Sequence, residues 1–254
     1  MKSLLRRGKA FGIVTTAVLL SLFGSITSVL ALSQEQIKQK LDAVPVYLIT
    51  NEEGSPLTRS VPAEQNGQKA MTVAGVYMSQ QEAEAVITEL QSAKNKDQRL
   101  TDLVKNLQVE VVPLGFIYQK LKQSENKPDS VVFALQPVKQ EVTAAKDLLR
   151  QSGEKVEQFP GVPVFVVRFA PDEGYVAIKS NSDSQELIPM FLSKQDAQGL
   201  LNRVKPEFSK AEIQVIDIDS VIENLEKKND EWFKQVVIVP SPESRKLLER
   251  LPRK

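Results

Sequence analysis

Short apolar runs alternate along this chain with segments whose apolar residues recur at helical spacing. Runs rich in β-branched residues, such as 44–50, 109–112 and 131–135, predict strands. The run at 131–135 has no polar interruption, which is typical of a strand covered on both faces. Strands that alternate with helices predict an α/β fold, with α+β as the close alternative, and helical crossovers require part of each sheet to be parallel. One predicted helix has an apolar face made of Ala83, Val86, Ile87 and Leu90.

Four blocks of the first half of the chain return in the same order in the second half. Chance could produce one such match, but four in order indicate an internal duplication. The duplication predicts two pseudo-symmetric lobes, each a small mixed sheet with helices, joined at the Gly- and Pro-containing segment 153–161. The blocks and their returns are 44–47 and 162–165, 76–83 and 190–197, 109–112 and 213–216, and 131–133 and 236–238.

Two serines occupy matching positions in front of the duplicated amphipathic segments. Ser79 has Glu82 three residues further on, which is the spacing of a capping box. Ser193 has Asp196 at the same distance, although the shorter Asp is less suited to the reciprocal bond. Both serines are therefore expected at helix starts.

The first 31 residues have the pattern of a secretory signal peptide. Four basic residues are followed by an uncharged stretch at 11–32 and by the small-residue site Val29-Leu30-Ala31. An uncleaved anchor is the alternative, because a span needs about 20 apolar residues. We expect cleavage after Ala31, which divides the chain into a signal peptide (1–31), a first lobe (32–153) and a second lobe (154–254).

Charge and composition exclude several classes of function. Loss of the four basic residues leaves 29 Lys and Arg against 32 Asp and Glu in the mature chain, so no basic excess is available for phosphates and nucleic-acid binding is not expected. The chain has no His and no Cys, which excludes imidazole bases, thiol nucleophiles, disulfides and thiolate zinc sites. No cofactor, metal or catalytic residue is predicted, and the protein is not expected to be an enzyme.

Acidic pairs are the remaining candidates for chemistry. Asp217-Ile218-Asp219 resembles the start of a calcium loop, but Val221 and Ile222 stand where that loop needs an oxygen ligand and a glycine. These acids are interpreted as helix-start residues. Glu52-Glu53-Gly54 is interpreted as a solvated turn, although paired carboxylates could in principle act as acid and base.

Apolar residues beyond what a core needs point to a binding surface. Trp232-Phe233 could anchor a partner, or one of the two rings could fill the end of a sheet. Two short predicted helices, at matching positions in the two halves, are apolar on two sides. Some of their apolar side chains would therefore not be needed in the core and could line a groove. Those side chains are Phe116, Ile117 and Leu121 in the first half, and Val221, Ile222 and Leu225 in the second.

The duplicated motifs resemble the Tic22-like family over about 42–252. The resemblance is carried by Val-Pro-Val-Tyr at 44–47, Gly67-Gln68-Lys69, residues 75–83, Val-Pro-Val-Phe at 162–165 and residues 190–197. It implies a two-lobed α/β molecule with apolar pockets that acts as a chaperone or tether. The family's plastid members belong to a preprotein import system, and its cyanobacterial relatives are exported proteins linked to outer-membrane biogenesis. The bacterial type of signal peptide points to a cyanobacterial member.

Two functions follow from this resemblance. The first is an exported chaperone-like protein that binds apolar segments of unfolded or membrane-bound clients, in protein transport and outer-membrane protein biogenesis. The alternative is an adaptor that docks to a translocon or an outer-membrane assembly machine, with peripheral membrane association. The expected location is the periplasm, with the thylakoid lumen or the membrane periphery as alternatives. The client groove is expected at the joint between the lobes and to include Tyr47, Phe116, Phe165 and Phe191.

The signal-peptide interpretation predicts that the exported protein begins at Leu32. Mass spectrometry of protein recovered from the exported fraction should give the mass of residues 32–254. A mature mass that retains Met1 and Lys2 would contradict it.

Overall fold

The computed structural model describes residues 5–7, 31–62, 70–93, 104–125, 127, 130–169, 174–179, 185–228 and 230–250. The uncharged stretch of the signal peptide at 11–30 and the Gly67-Gln68-Lys69 motif lie outside these residues. In the part of the chain that is described, every helix is too short or too polar to cross a bilayer.

Strands and helices alternate in both halves, as the apolar pattern predicts. The first half contains α1 (Gln34–Asp42), β2 (Pro45–Thr50), β3 (Thr58–Val61), β4 (Met71–Tyr77), α2 (Gln80–Ala93), β5 (Gln108–Pro113), α3 (Leu114–Ser124), β6 (Val131–Gln136) and α4 (Lys139–Gln151). The second contains β7 (Pro163–Phe169), β8 (Val176–Lys179), β9 (Glu186–Phe191), α5 (Lys194–Val204), β10 (Ala211–Asp217), α6 (Ile218–Lys227), a 3-10 helix (Glu231–Gln235), β11 (Val236–Val239) and α7 (Pro242–Arg250). A short strand β1 (Leu5–Arg7) pairs with β8.

Each half forms a mixed sheet, and the two sheets have the same connections. In the first sheet β4 pairs antiparallel with β3 and β2 and parallel with β6, while β2 pairs antiparallel with β5. In the second sheet β9 pairs antiparallel with β8 and β7 and parallel with β11, while β7 pairs antiparallel with β10. The molecule is therefore an α/β protein of two pseudo-symmetric lobes.

Strand register confirms three of the four sequence matches and corrects the fourth. Tyr77 lies opposite Gln136 in the first sheet, and its counterpart Phe191 lies opposite Val239 in the second. The counterpart of Val236 is therefore Phe133, two residues away from the match to Val131 that the sequence favours. A shift of two residues keeps every side chain on the same face, so the apolar pattern cannot detect it.

Both duplicated serines stand directly before helices, as predicted, but their caps differ from the expected ones. The Ser79 hydroxyl accepts a hydrogen bond from the Glu82 amide at 3.4 Å, whereas Ser193 makes no side-chain cap. The Glu82 carboxylate does not return to Ser79 but accepts from the Lys139 amide at 2.9 Å. A complete capping box occurs instead at Ser33 and Gln36, at the start of α1.

The inner faces of the two sheets share one apolar core. Val46 and Leu48 of β2 pack in the same cluster as Val164 and Val166 of β7. Helices α1, α3 and α6 contribute buried side chains to this cluster. Because side chains alternate along a strand, the residue between Val46 and Leu48 and the residue between Val164 and Val166 point to the opposite, outer faces of the sheets.

The last helix of each half covers the outer face of the other half's sheet. Helix α4 packs Ala145 and Leu148 against Phe165 and Val167 of the second sheet. Helix α7 packs Leu247 into a cluster with Tyr47 and other residues of the first sheet. Apart from β1, which pairs with β8, the strands of the two sheets are separated by the expected boundary at 153–154, but these two helices are exchanged across it.

Polar contacts at the helix starts hold this exchange in place. Glu243 of α7 accepts from the amides of Gln80 and Gln81 at 3.1 and 3.3 Å, which satisfies the start of α2. Glu141 of α4 accepts from the amide of Lys194 at 2.9 Å at the start of α5. Burial raises the pKa of the Glu141 carboxyl, although this hydrogen bond opposes the rise.

The duplicated acids Glu82 and Asp196 differ in the partner that each one finds. Glu82 accepts from the first amide of α4, but the first residue of α7 is Pro242, which has no N–H to donate. Asp196 instead forms two hydrogen bonds with the Arg245 guanidinium, at 2.7 and 3.0 Å. Each arrangement joins two helices of the same half through a charged side chain, α2 to α4 and α5 to α7.

Replacement of Glu243 by Ala should destabilise the protein by about 1 kcal/mol, the usual cost of losing an N-terminal cap acceptor. Urea unfolding followed by circular dichroism measures this loss. Glu249→Ala, which removes an exposed acid from the same helix, is the matched control and should cost little. Equal losses in the two variants would show that the cap at α2 does not contribute.

The tyrosines predict loss of stability at alkaline pH. Burial raises the pKa of Tyr47, Tyr77, Tyr118 and Tyr175 above the ordinary value of 10.0. The unfolded chain therefore loses phenolic protons at a lower pH than the folded protein, and the free energy of unfolding should fall as pH rises through 10 and beyond. Urea unfolding at increasing pH, combined with tyrosinate absorbance, tests this. Tyrosines that ionise at their ordinary pKa while the fold persists would contradict it.

Candidate functional site

The four residues expected in the client groove do not form one site, because only Phe165 and Phe191 lie side by side, as a buried cross-strand pair. Tyr47 and Phe165 are completely buried on the outer faces of the sheets, and Phe191 is only 8% exposed. Tyr47 lies under α7, with its hydroxyl 3.5 Å from the Ser244 hydroxyl. The exchanged helices cover these rings, so an external segment has no access to them in the folded protein. The sequence pattern shows that these residues are apolar and that they occupy matching positions in the two halves. It does not show which face of the sheet they lie on.

Phe116 is the exception among the four, because its ring is 37% exposed. It lies on α3, and the Lys120 ammonium is 5.2 Å from the ring centroid, within cation–π range. Its side chain is not part of the groove wall described below.

A groove of about 860 Å³ lies at the joint between the two halves. Its walls are α3, α6 and β6, and the segment that precedes β7 closes one side. The apolar lining includes Met71, Leu114, Ile117, Leu121, Val132, Phe133, Leu135, Val162 and Ile222. The charged lining comprises Lys122, Glu125, Lys127, Asp219, Glu223 and Glu226.

Much of this apolar lining is accessible. Met71 is 41% and Val132 is 38% exposed, which places both among the most exposed large apolar residues described. Leu121 and Ile222 are half-buried and face the groove from α3 and α6. Large apolar surface that remains open to solvent at a concave site is the usual signature of a binding site.

A polar bridge joins α3 to α6 beside the groove. The Tyr118 hydroxyl donates to the Glu226 carboxylate at 2.9 Å, and the Lys122 ammonium lies 2.8 Å from the same carboxylate. Lys122 also pairs with Glu125 at 3.3 Å. Burial and the carboxylate together raise the pKa of Tyr118. These groups satisfy one another, so the bridge fixes the spacing of the two helices and offers no free acid or base.

The acids of the calcium-like motif have separate surroundings. Asp217 occupies the position before α6 as expected, but its side chain makes no capping hydrogen bond and its Oδ1 atom is buried beside Gly161. Asp219 lies on the first turn of α6 at the groove edge. Desolvation raises the pKa of both carboxyls. Among the described residues, no group of three potential ligands could hold a metal ion.

The other sequence candidates fall into ordinary roles. Glu52 and Glu53 are exposed, and Gly54 has a φ of 76°, which agrees with a solvated turn. Phe233 is buried at 3% exposure, and Trp232 stacks on it with ring centroids 3.9 Å apart. This pair therefore fills the end of the second sheet.

Strand β6 is the groove wall that the sequence interpretation misses. An uninterrupted apolar strand is expected to be covered on both faces, yet no residue of β6 is fully buried, and the groove is lined both by Val132 and by Phe133, which point to opposite faces. Leu121 and Ile222, in contrast, are among the side chains expected to be left over for a groove. A comparison of the helices in the two halves could have revealed this, because residues 152–160, at the position equivalent to α1, form no helix that could cover β6.

Comparison with known proteins places the chain in a family. A family model described as the Tic22-like family matches residues 9–249. The solved structure described as Anabaena Tic22 (protein transport) is 57% identical, with a TM-score of 0.82, over 88% of this chain and 99% of that one. Tic22 from Plasmodium falciparum shares the fold at 19% identity, with a TM-score of 0.60, over 84% of this chain and 96% of that one. A comparison with curated proteins found no match. The chain belongs to the Tic22-like family.

Proposed function

We propose that this protein binds apolar segments of client proteins in the groove, as a non-enzymatic, chaperone-like component of protein transport. The observation that carries the proposal is the open apolar wall formed by Met71 and Val132 together with Leu121 and Ile222. The description of the Anabaena relative as a protein-transport protein supports the same role.

The chemistry of the groove suits non-covalent binding. Apolar burial is non-directional, so such a surface accepts many client sequences. The groove lining contains no His, Cys or Ser paired with a base, and its Glu226 and Lys122 are bound to each other. We therefore assign no catalytic step to this site.

The location and pathway are part of the proposal. The export signal and the family resemblance support action in the periplasm, with the thylakoid lumen or the membrane periphery as alternatives, and a role in outer-membrane protein biogenesis. The proposed clients are unfolded or membrane-bound proteins. An adaptor that docks to a translocon or an outer-membrane assembly machine is the alternative, and it would use a surface specific for one partner.

A matched pair of variants tests the proposal. Val132 and Val111 are both strand valines of similar exposure, 38% and 41%, but only Val132 lines the groove. Purified residues 32–254 should suppress aggregation of an outer-membrane barrel protein diluted from urea. Val132→Glu should weaken this suppression about tenfold, because it places a charge where an apolar segment would be buried. Val111→Glu should retain it.

Salt and stability distinguish the alternatives. Suppression should persist at high salt, since apolar burial is not screened. Thermal unfolding of both variants verifies that each remains folded. No suppression by the wild-type protein at low or high salt would overturn the chaperone role and leave the adaptor. Suppression that Val132→Glu does not change would place client binding outside the groove.

A further inference from the structure

The internal duplication creates two equivalent positions for a groove, and the protein itself fills one of them. The open groove lies on α3, α6 and β6. Its pseudo-symmetric counterpart lies on α6, α3 and β11, since α3 corresponds to α6 and β6 to β11. Helix α1 occupies that counterpart, where its Ile37 and Leu41 are 1% and 0% exposed.

The contacts of α1 show how this type of groove holds a helix. Ile37 and Leu41, one turn apart, pack in the central core with side chains of α6 and β11. The Lys40 ammonium donates to the carbonyls of Lys234 and Val236 at 2.8 and 2.9 Å, at the start of edge strand β11. An amphipathic helix with an aliphatic pair and a lysine is therefore the natural occupant of such a groove.

The described residues of the second half include no helix that fills the open groove. Residues 152–160 precede β7 by the same distance as α1 precedes β2, but they form no regular element. Pro160 and Gly161 run along the side of the groove. The wall equivalent to the one that α1 covers, formed by Phe133 and Leu135 as the counterparts of Val236 and Ile238, therefore lines the open groove.

We propose that the open groove binds a basic amphipathic helix of a client protein, against the walls equivalent to those that hold α1 in the filled groove. This inference rests on the proposed function, because it specifies the class of segment that the same site accepts. The helix presents two aliphatic side chains four residues apart to Leu121, Phe133 and Ile222. Its lysine or arginine reaches the first carbonyls of β6, the counterparts of those that Lys40 reaches on β11.

Charge at the groove favours a basic helix. Four acids and two lysines line it, so its lining carries a net negative charge. Asp219 stands at the position equivalent to Gly115, where α1 crosses α3 so closely that a Cβ atom would lie 2.5 Å from the Lys38 carbonyl oxygen. A helix in the open groove therefore lies farther from α6 than α1 lies from α3. The Asp219 carboxylate has no ion-pair partner among the described residues. A helix that crosses there comes close to an unpaired acid.

A second copy of this chain does not supply the helix. Its α1 is held in its own core by buried Ile37 and Leu41, and its release would open that core. We therefore assign the occupant to another protein with a segment of the same pattern.

A peptide with the α1 sequence is a suitable probe. Residues 32–43, labelled with a fluorophore and constrained as a helix by a side-chain crosslink on the polar face, should bind the full mature protein in an anisotropy titration. Replacement of Ile37 and Leu41 by Ser in the peptide should weaken binding tenfold or more, since each aliphatic side chain is worth about 1.5–3 kcal/mol when buried. A proline-containing peptide of the same composition tests whether helical structure is required.

Protein variants locate the binding site. Val132→Glu should abolish peptide binding, and Val111→Glu should not change it. Asp219→Asn should weaken binding about two- to fivefold at low salt, the size expected for one solvent-exposed ion pair. Glu207→Gln removes an exposed acid away from the groove and is the matched control.

The outcomes separate this inference from the proposed function. Helix binding that depends on Val132 and Asp219 supports the inference. Failure of the helical peptide to bind, or equal binding of the proline-containing peptide, overturns it. In that case groove-dependent suppression of barrel-protein aggregation would still support the chaperone role. Peptide binding that is unchanged by Val132→Glu would also overturn it, because the helix would then bind elsewhere.

Discussion

The need to bury both faces of two small sheets determines the architecture of this protein. Each sheet has apolar side chains on both faces. Part of its outer face is covered by a helix of the same half, the one that follows the central hairpin. The remaining outer surface is covered by the last helix of the other half. This exchange makes the two halves mutually dependent, because separation would expose Tyr47 on one side and Phe165 on the other.

The seam between the halves is stabilised by directed polar contacts as well as by apolar burial. The starts of α2 and α5 have amide groups without an intrahelical partner, and a glutamate from the other half accepts from each of them. The start of α4 is satisfied by Glu82 of its own half. Because α7 begins with proline, the corresponding acid Asp196 binds Arg245 instead. The seam thus orients the helices, while the chain has no disulfide to do so.

Asymmetry within the duplicated fold produces the candidate site. One of two equivalent grooves is closed by α1, and the other remains open because the segment before β7 is irregular. The open groove therefore retains the apolar walls of an interior surface, together with charged groups at its edge. This combination suits reversible binding of apolar segments, and it agrees with the incomplete burial of every residue of β6.

The sequence alone was sufficient for the alternation of strands and helices, the duplication and the helix starts at Ser79 and Ser193. These features depend on local periodicity and on matches along the chain, which are visible without coordinates. The sequence also indicated that Leu121 and Ile222 could line a groove, since a short helix that is apolar on two sides can bury only one of them in the core. Only the tertiary structure decided the partners of α4 and α7, the burial of Tyr47, Phe165 and Phe191, and the opening beside β6. Which surface covers a strand depends on contacts between residues far apart in the chain, and an apolar run has the same pattern whether a helix covers it or solvent does.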